Sequence, residues 1–337
     1  MKHTLIQRTL AMALAAAVGA LGLAGCAGTS SEPGTSNASG SGKIKVVASV
    51  NTWGNLAELV GGKYVAVKSI ITDPLQDPHS YEATVRDELA VKKADLVLAN
   101  GENYDVFMDA LGRSVDKKVE HLVAHVSRIV AAENSATAPT GANPHIWYST
   151  SYLIDATNWL AKKLTTIDRS HGAYFAENRY ALVAKLESIR ARETAMANGQ
   201  KATAIETESI ADFKLFDLGI RNVTPQLFWN SVIHENEVSP KALNDAKALI
   251  RNHKVNLLIL NAQEDSVQGK ALAAEARAAI RTAKTQGLAT TQIVSMSELL
   301  PRGLSIDEWM TRNLDAIEKA LRASTAAVSA STSGSGK

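Results

Sequence analysis

The chain has 337 residues, 45% of them apolar and 21% charged, with 36 Lys and Arg against 34 Asp and Glu. That length supports two domains, each with its own core, and the near-balanced charge argues against a polyanionic partner such as nucleic acid. A single cysteine in the whole chain excludes an intrachain disulfide and a cysteine-rich zinc site.

At the N-terminus, Lys2 and Arg8 precede the apolar run LAMALAAAVGALGLAG over residues 10–25. The run is too short and too rich in Ala and Gly for a good membrane span, but it suits a secretory signal. It ends in Leu23-Ala24-Gly25-Cys26, which resembles the bacterial lipobox. The resemblance implies that residues 1–25 are a lipoprotein signal peptide. It also implies that lipid on Cys26 anchors the mature chain at the extracytoplasmic face of the cell membrane. Loss of Lys2 and Arg8 leaves 34 basic against 34 acidic residues. Residues 26–42 are rich in Gly, Ser and Thr without apolar periodicity and are expected to form a flexible tether. Gly42-Lys43 is followed by Ile44 rather than Ser or Thr, so no phosphate loop is read there.

From residue 43 the pattern alternates. IKVVASV (44–50) reads as a buried strand, followed by a helix from about Asn55, and YVAVKSII (64–71) as a second strand. Residues 86–94 read as a helix, ADLVLAN (94–100) as a third strand, VFMDAL as part of a helix and KVEHLVAH (118–125) as a fourth strand. Residues 151–164 are helical in pattern. Then Arg169–Ala197 carries a long helical pattern of near 29 residues, about 40 Å at helical rise, stopped by Asn198-Gly199. Strand and helix alternate again: KATAIE (201–206), a helix to Asp217 closed by Leu218-Gly219, NVT (222–224), the helix PKALNDAKALIRNH, VNLLILN (255–261), the helix KALAAEARAAIRTAKTQG, TQIVSM (291–296) and a closing helix SIDEWMTRNLDAIEKALRA. This predicts an α/β chain of two lobes, 43–168 and 200–323, joined by a linking helix over 169–199. A Ser- and Ala-rich stretch, 324–337, is expected to be a disordered tail. Ligands of such sheets bind beyond the carboxyl ends of the strands, here the cleft between lobes.

Two Pro-His pairs lie just past strand ends of the first lobe. They are Asp77-Pro78-His79-Ser80-Tyr81-Glu82-Ala83-Thr84-Val85-Arg86-Asp87 and Asn143-Pro144-His145-Ile146-Trp147. A preceding proline restricts the chain and helps hold an imidazole in place. Together, behind a lipobox, these motifs resemble the metal-binding solute-binding lipoproteins of bacterial ABC importers, the manganese/zinc group of cluster A-I type, over residues 43–322. Ala83, Val85 and Arg86 stand where related motifs favour Pro, Pro and Ser, and Ser149 stands where an acid is common. The resemblance implies two Rossmann-like lobes, each a mainly parallel sheet flanked by helices, joined by one long rigid helix that limits lobe opening to a small shift. It implies four metal ligands: His79, His145, Glu208 after the first strand of the second lobe, with Glu206 as the alternative, and Glu298 after the last strand. Asp77, Glu82, Asn143 and Asn261 are candidate partners behind the imidazoles, since a ligating histidine usually donates its other N–H.

Two imidazoles and two carboxylates without a thiolate make a mixed N/O site, which favours Mn2+ with Zn2+ a close second. The implied function is capture of one divalent ion and delivery to an ABC permease with its cytoplasmic ATPase, by a monomer. No enzyme motif is legible, and no catalytic residue is assigned. The alternatives are a surface adhesin or interaction lipoprotein with a structural metal site, and a metal-dependent hydrolase. His121 and His125, four apart, fall in the predicted fourth strand and are given no role, like His171, His234 and His253.

Overall fold

A computed structural model describes residues 42–334 apart from 75, 131–142, 234–235, 264–265 and 287. The signal peptide, Cys26, all but the last residue of the tether, His234 and the end of the tail lie outside the described residues.

The first lobe is built on β1 (Ile44–Val50), α1 (Asn51–Gly61), β2 (Val65–Ile71), α2 (Val85–Lys93), β3 (Leu96–Ala99), α3 (Phe107–Ser114), β4 (Glu120–His121), α4 (Val123–Val130) and α5 (Thr150–Ile167). A 3-10 turn at Arg169–His171 opens the linking helix α6 (Gly172–Ala197). The second lobe follows with β5 (Thr203–Glu206), α7 (Asp212–Asp217), β6 (Arg221–Asn222), α8 (Gln226–Ile233), α9 (Pro240–Arg251), β7 (Leu257–Asn261), α10 (Val267–Gln286), β8 (Gln292–Met296) and α11 (Ile306–Gly334). The two sheets share one topology, β2-β1-β3-β4 and β6-β5-β7-β8, with every pair parallel. The order in which strands are added to the sheet reverses between β1 and β3, and again between β5 and β7. These switch points open a crevice beyond the carboxyl ends of the strands. Parallel sheets need cover on both faces, and β3 and β5 are buried along their whole length.

Helix α6 ties the halves together. Its buried residues Phe175, Leu182, Leu186, Ile189 and Glu193 form one stripe at helical spacing. The helix packs on α1 and α5 of the first lobe and on α7 and α11 around the second. At 26 residues it is about 39 Å long.

Three expectations are corrected. The fourth strand has only two residues, and the chain turns directly into α4. Leu122, Val123 and Val126 are all buried, a spacing of three and four that a helix satisfies and a strand does not. His125 is therefore helical and stacks on Trp159, while His121 pairs with Asp109 at 2.9 Å. The closing helix does not end at residue 323. Ser324 is fully buried, its Oγ donates to the Thr290 carbonyl, and its own carbonyl accepts from Thr290 N–H at 3.0 Å. Past those bonds α11 continues to Gly334. Finally, α8 occupies a stretch in which the sequence pattern predicted no helix.

Candidate metal centre

His79 lies on the segment between β2 and α2. The remaining letters of its motif hold that segment in shape. Asp77 accepts the His79 backbone N–H at 2.9 Å and the Ser80 hydroxyl at 2.7 Å, so it supports the loop backbone. Buried Pro78 anchors the turn. Thr84 and Asp87 form a reciprocal capping box at the start of α2. Asp87 also accepts from Tyr81 Oη and Lys68 Nζ, both at 3.0 Å. Burial alone would raise the Asp87 carboxyl, but the bonds from Thr84 and Lys68 prevail and hold it below the ordinary carboxylate range. Asp87→Ala should cost about 1–2 kcal/mol of stability. Denaturation at several pH values should show the loss fully above that range and shrinking as pH falls through it. Glu82 is exposed to solvent.

His145 stands between Pro144 and a 3-10 turn, Ile146–Tyr148. It is buried, with 6% exposure. Asn143 Oδ1 accepts the His145 backbone N–H and lies 2.9 Å from ring Nδ1, while Asn143 Nδ2 donates to the Ser209 carbonyl at 2.7 Å. That network fixes the Asn143 amide, so Nδ1 donates to its oxygen and Nε2 is the ring atom that faces Glu298. The motif is braced from behind by Asn100 at the end of β3, which donates to the Pro144 carbonyl at 2.9 Å and accepts from Trp53 Nε1 at 3.1 Å. Asn143→Ala should lower metal affinity about 10–100-fold; affinity within twofold of wild type in a chelator competition would refute this role.

From the second lobe, Glu298 follows β8 and enters the crevice. Its Oε1 is 3.5 Å from His145 Nε2 and 3.9 Å from His79 Nε2. Burial would raise this carboxyl, yet the nearby His145 and His79 hold it below its usual range. Asn261, at the end of β7, donates to Glu208 Oε2 at 2.6 Å and to Glu298 Oε2 at 3.4 Å. The alternative Glu206 is fully buried inside the lobe, where it accepts from Ala211 N–H and Asn222 Nδ2. Burial, then the charge of Asp212, pushes its carboxyl well above normal. Strand β5 ends at Glu206 and the chain bends, so Glu208 does not continue the strand alternation and meets Asn261.

His79, His145 and Glu298 thus come together across the lobes, and Asn261 links Glu208 to Glu298. Donor atoms on one ion with bonds near 2.1 Å stand roughly 3–3.5 Å apart, close to the spacing of the imidazoles from Glu298. Among the described residues, no three His, Cys, Asp or Glu groups already stand at metal-binding spacing; the Glu208 carboxylate is engaged by Asn261 instead. Sequence reasoning did not single out Tyr104, whose ring lies edge-on to His79 at 5.0 Å and near His145 at 6.1 Å. Its hydroxyl is buried without a well-formed hydrogen bond. Burial, then the Glu298 charge, pushes it well above the usual phenol range.

Residues 46–320 match the family model described as zinc-uptake complex component A, periplasmic (ZnuA). The iron-binding protein YfeA of Yersinia pestis is 24% identical over 217 residues, covering 63% of this chain and 68% of that protein. The manganese ABC transporter substrate-binding lipoprotein PsaA of Streptococcus pneumoniae is 24% identical over 243 residues, covering 69% and 76%. Among solved structures, the AdcAII protein of Streptococcus pneumoniae superposes with a TM-score of 0.65 at 16% identity, over 84% of this chain and all of that one. That likeness is one of fold.

Proposed function

The chain belongs to the ZnuA family of periplasmic zinc-uptake components, and from that membership we propose an extracytoplasmic substrate-binding protein that captures one divalent transition-metal ion between its lobes. It delivers the ion to an ABC permease driven by a cytoplasmic ATPase. The observation that carries the reading is the approach of His79 Nε2 and His145 Nε2, from one lobe, to Glu298 of the other. His79, His145, Glu208 and Glu298 are the proposed ligands. Four protein donors leave no open position for catalysis, which favours binding over hydrolysis. The donor set has no thiolate and half its atoms are oxygen, so Mn2+ is the favoured cargo and Zn2+ the close second. The chain works as a monomer, with lipid on Cys26 as its anchor. Among the described residues no helix is long and apolar enough to cross a membrane.

An ion held from both lobes stabilises their closed arrangement by mass action. The full chain, stripped of metal and titrated separately with Mn2+ and Zn2+, should bind one ion and melt higher, and His79→Ala should lose both effects. Freely reversible Mn2+ beside nearly irreversible Zn2+ would mark manganese as cargo. A chain that binds neither ion would overturn the reading.

A further inference from the structure

Gln263, two residues past the end of β7, joins the two segments that carry His79 and Glu298. Its Oε1 accepts the backbone N–H groups of Glu298 and Leu299, the latter at 2.7 Å. Its Nε2 donates to the Pro74 carbonyl at 2.6 Å, five residues before His79 and on the other lobe. Its own backbone N–H donates to Asn261 Oδ1 at 2.9 Å, and Asn261 in turn holds both carboxylates. One side-chain amide therefore sets the backbone of the Glu298 turn and grips the His79 loop across the cleft. Asn51 also grips the second-lobe turn from the first lobe, through Leu300 N–H and carbonyl. Asn51, however, lies at the start of α1 and not on the His79 loop.

We infer that Gln263 is a latch between the lobes: a positioning residue that holds the His79 loop against the Glu298 turn and so sets how slowly a captured ion leaves. The inference rests on the proposed metal site. A latch acts on the closed arrangement, so its loss speeds release and leaves capture nearly unchanged, whereas a residue that merely supports the fold lowers stability with and without metal. Two variants separate the two ends of the amide. Gln263→Met removes both sets of bonds at similar length. Gln263→Glu keeps an acceptor for the Glu298 and Leu299 N–H groups but loses the donor to Pro74. Its carboxylate stands beside Glu298, so the uncharged Gln263→Met must show the same faster release for the effect to come from the lost bonds.

The test uses the full chain loaded with Mn2+, with release followed after mixing with excess chelator, and backbone hydrogen exchange read over residues 72–81. In both variants the release rate should rise about tenfold, the effect of one hydrogen bond to a closed state, with the association rate within about twofold of wild type. Metal-induced protection of the 72–81 segment should fall in both, while the melting temperature of metal-free Gln263→Glu, which keeps the acceptor for the second lobe's own N–H groups, stays put. Release as slow as wild type in Gln263→Glu would overturn the latch and leave Gln263 as a support for Glu298 alone. Equal destabilisation of metal-free and loaded Gln263→Glu, which loses the donor to Pro74 and keeps the acceptor, would also overturn it. Wild-type chain that binds no Mn2+ or Zn2+ would remove the metal reading and the latch together, whereas wild-type binding with unaltered variants would remove only the latch.

Discussion

Replacing Glu298 with Ala should lower metal affinity by more than about 100-fold, the largest loss of any single change in the cleft. Loss of a group that merely supports a ligand costs about 10–100-fold. Glu298 is the carboxylate that both imidazoles approach, and it is the second lobe's contribution to that meeting point. Without it, an ion held by His79 and His145 touches one lobe strongly and has less power to favour closure. Glu208→Ala should cost less, because Asn261 already competes for that carboxylate. Competition against a chelator of known affinity measures both. Glu298→Ala within tenfold of wild type would remove Glu298 from the ligand set and point to a site elsewhere in the cleft.

The second large effect concerns stability. Lys214, on α7, is fully buried and forms an ion pair with Glu193 of the linking helix, itself 1% exposed, and Thr150 bonds to both. Both bonds go to Glu193 Oε1, and Oε2 is buried without a hydrogen-bond partner among the described residues. Lys214→Met should therefore destabilise the chain by about 3–5 kcal/mol, because it leaves a buried carboxylate uncompensated. The double change Lys214→Met with Glu193→Leu should recover most of the loss, since removal of both charges also removes their desolvation cost. Asp217, one turn further along α7, accepts from Ser149 Oγ at 3.0 Å. Burial pushes its carboxyl up from 3.8 to about 6, with Lys214 pulling it down and Glu193 pushing it up. The folded chain keeps a proton on Asp217 that the unfolded chain gives up, so stability falls as pH rises from 3.8 to about 6 and levels off above. Asp217→Asn should flatten that slope. Lys214→Met, which removes the cation that lowers Asp217, should extend it to higher pH. Denaturant unfolding from pH 4.5 to 7.5 tests the ledger, and a single-variant loss under 1 kcal/mol would show that the pair is solvated.

Much of the molecule was legible from residue order alone. Buried parallel strands announce themselves as short β-branched runs, and IKVVASV or VNLLILN needs no tertiary information to be read. The long linking helix was equally plain, because 29 residues without a strong breaker leave few other choices. Pro-His pairs just past strand ends placed two imidazoles at the rim where parallel sheets bind ligands. Short elements were less secure. Residues 118–125 fit a strand or a helix by pattern, and the burial of Leu122, Val123 and Val126 settled the matter. The closing helix outran its expected end because Ser324 found Thr290, a contact between residues 34 apart in sequence.

Sequence by itself determined the α/β class, the two-lobe plan and the position of His79 and His145 past strand ends of the first lobe, because these depend on periodicity and on the local restriction that proline imposes. Only the tertiary structure decided which acid of Glu206 and Glu208 meets the cleft. β5 ends and bends after Glu206, Asp212 and Asn222 close over Glu206, and Asn261 from a neighbouring strand reaches Glu208. The same holds for Asn143 bonding to Ser209, for Gln263 spanning Pro74 and Glu298, and for the buried pair of Lys214 and Glu193. Each of these joins residues at least 21 apart, whose side chains meet only after both lobes have packed on the linking helix. No local propensity encodes such a meeting, and its energy comes from the packing that removes water from around it.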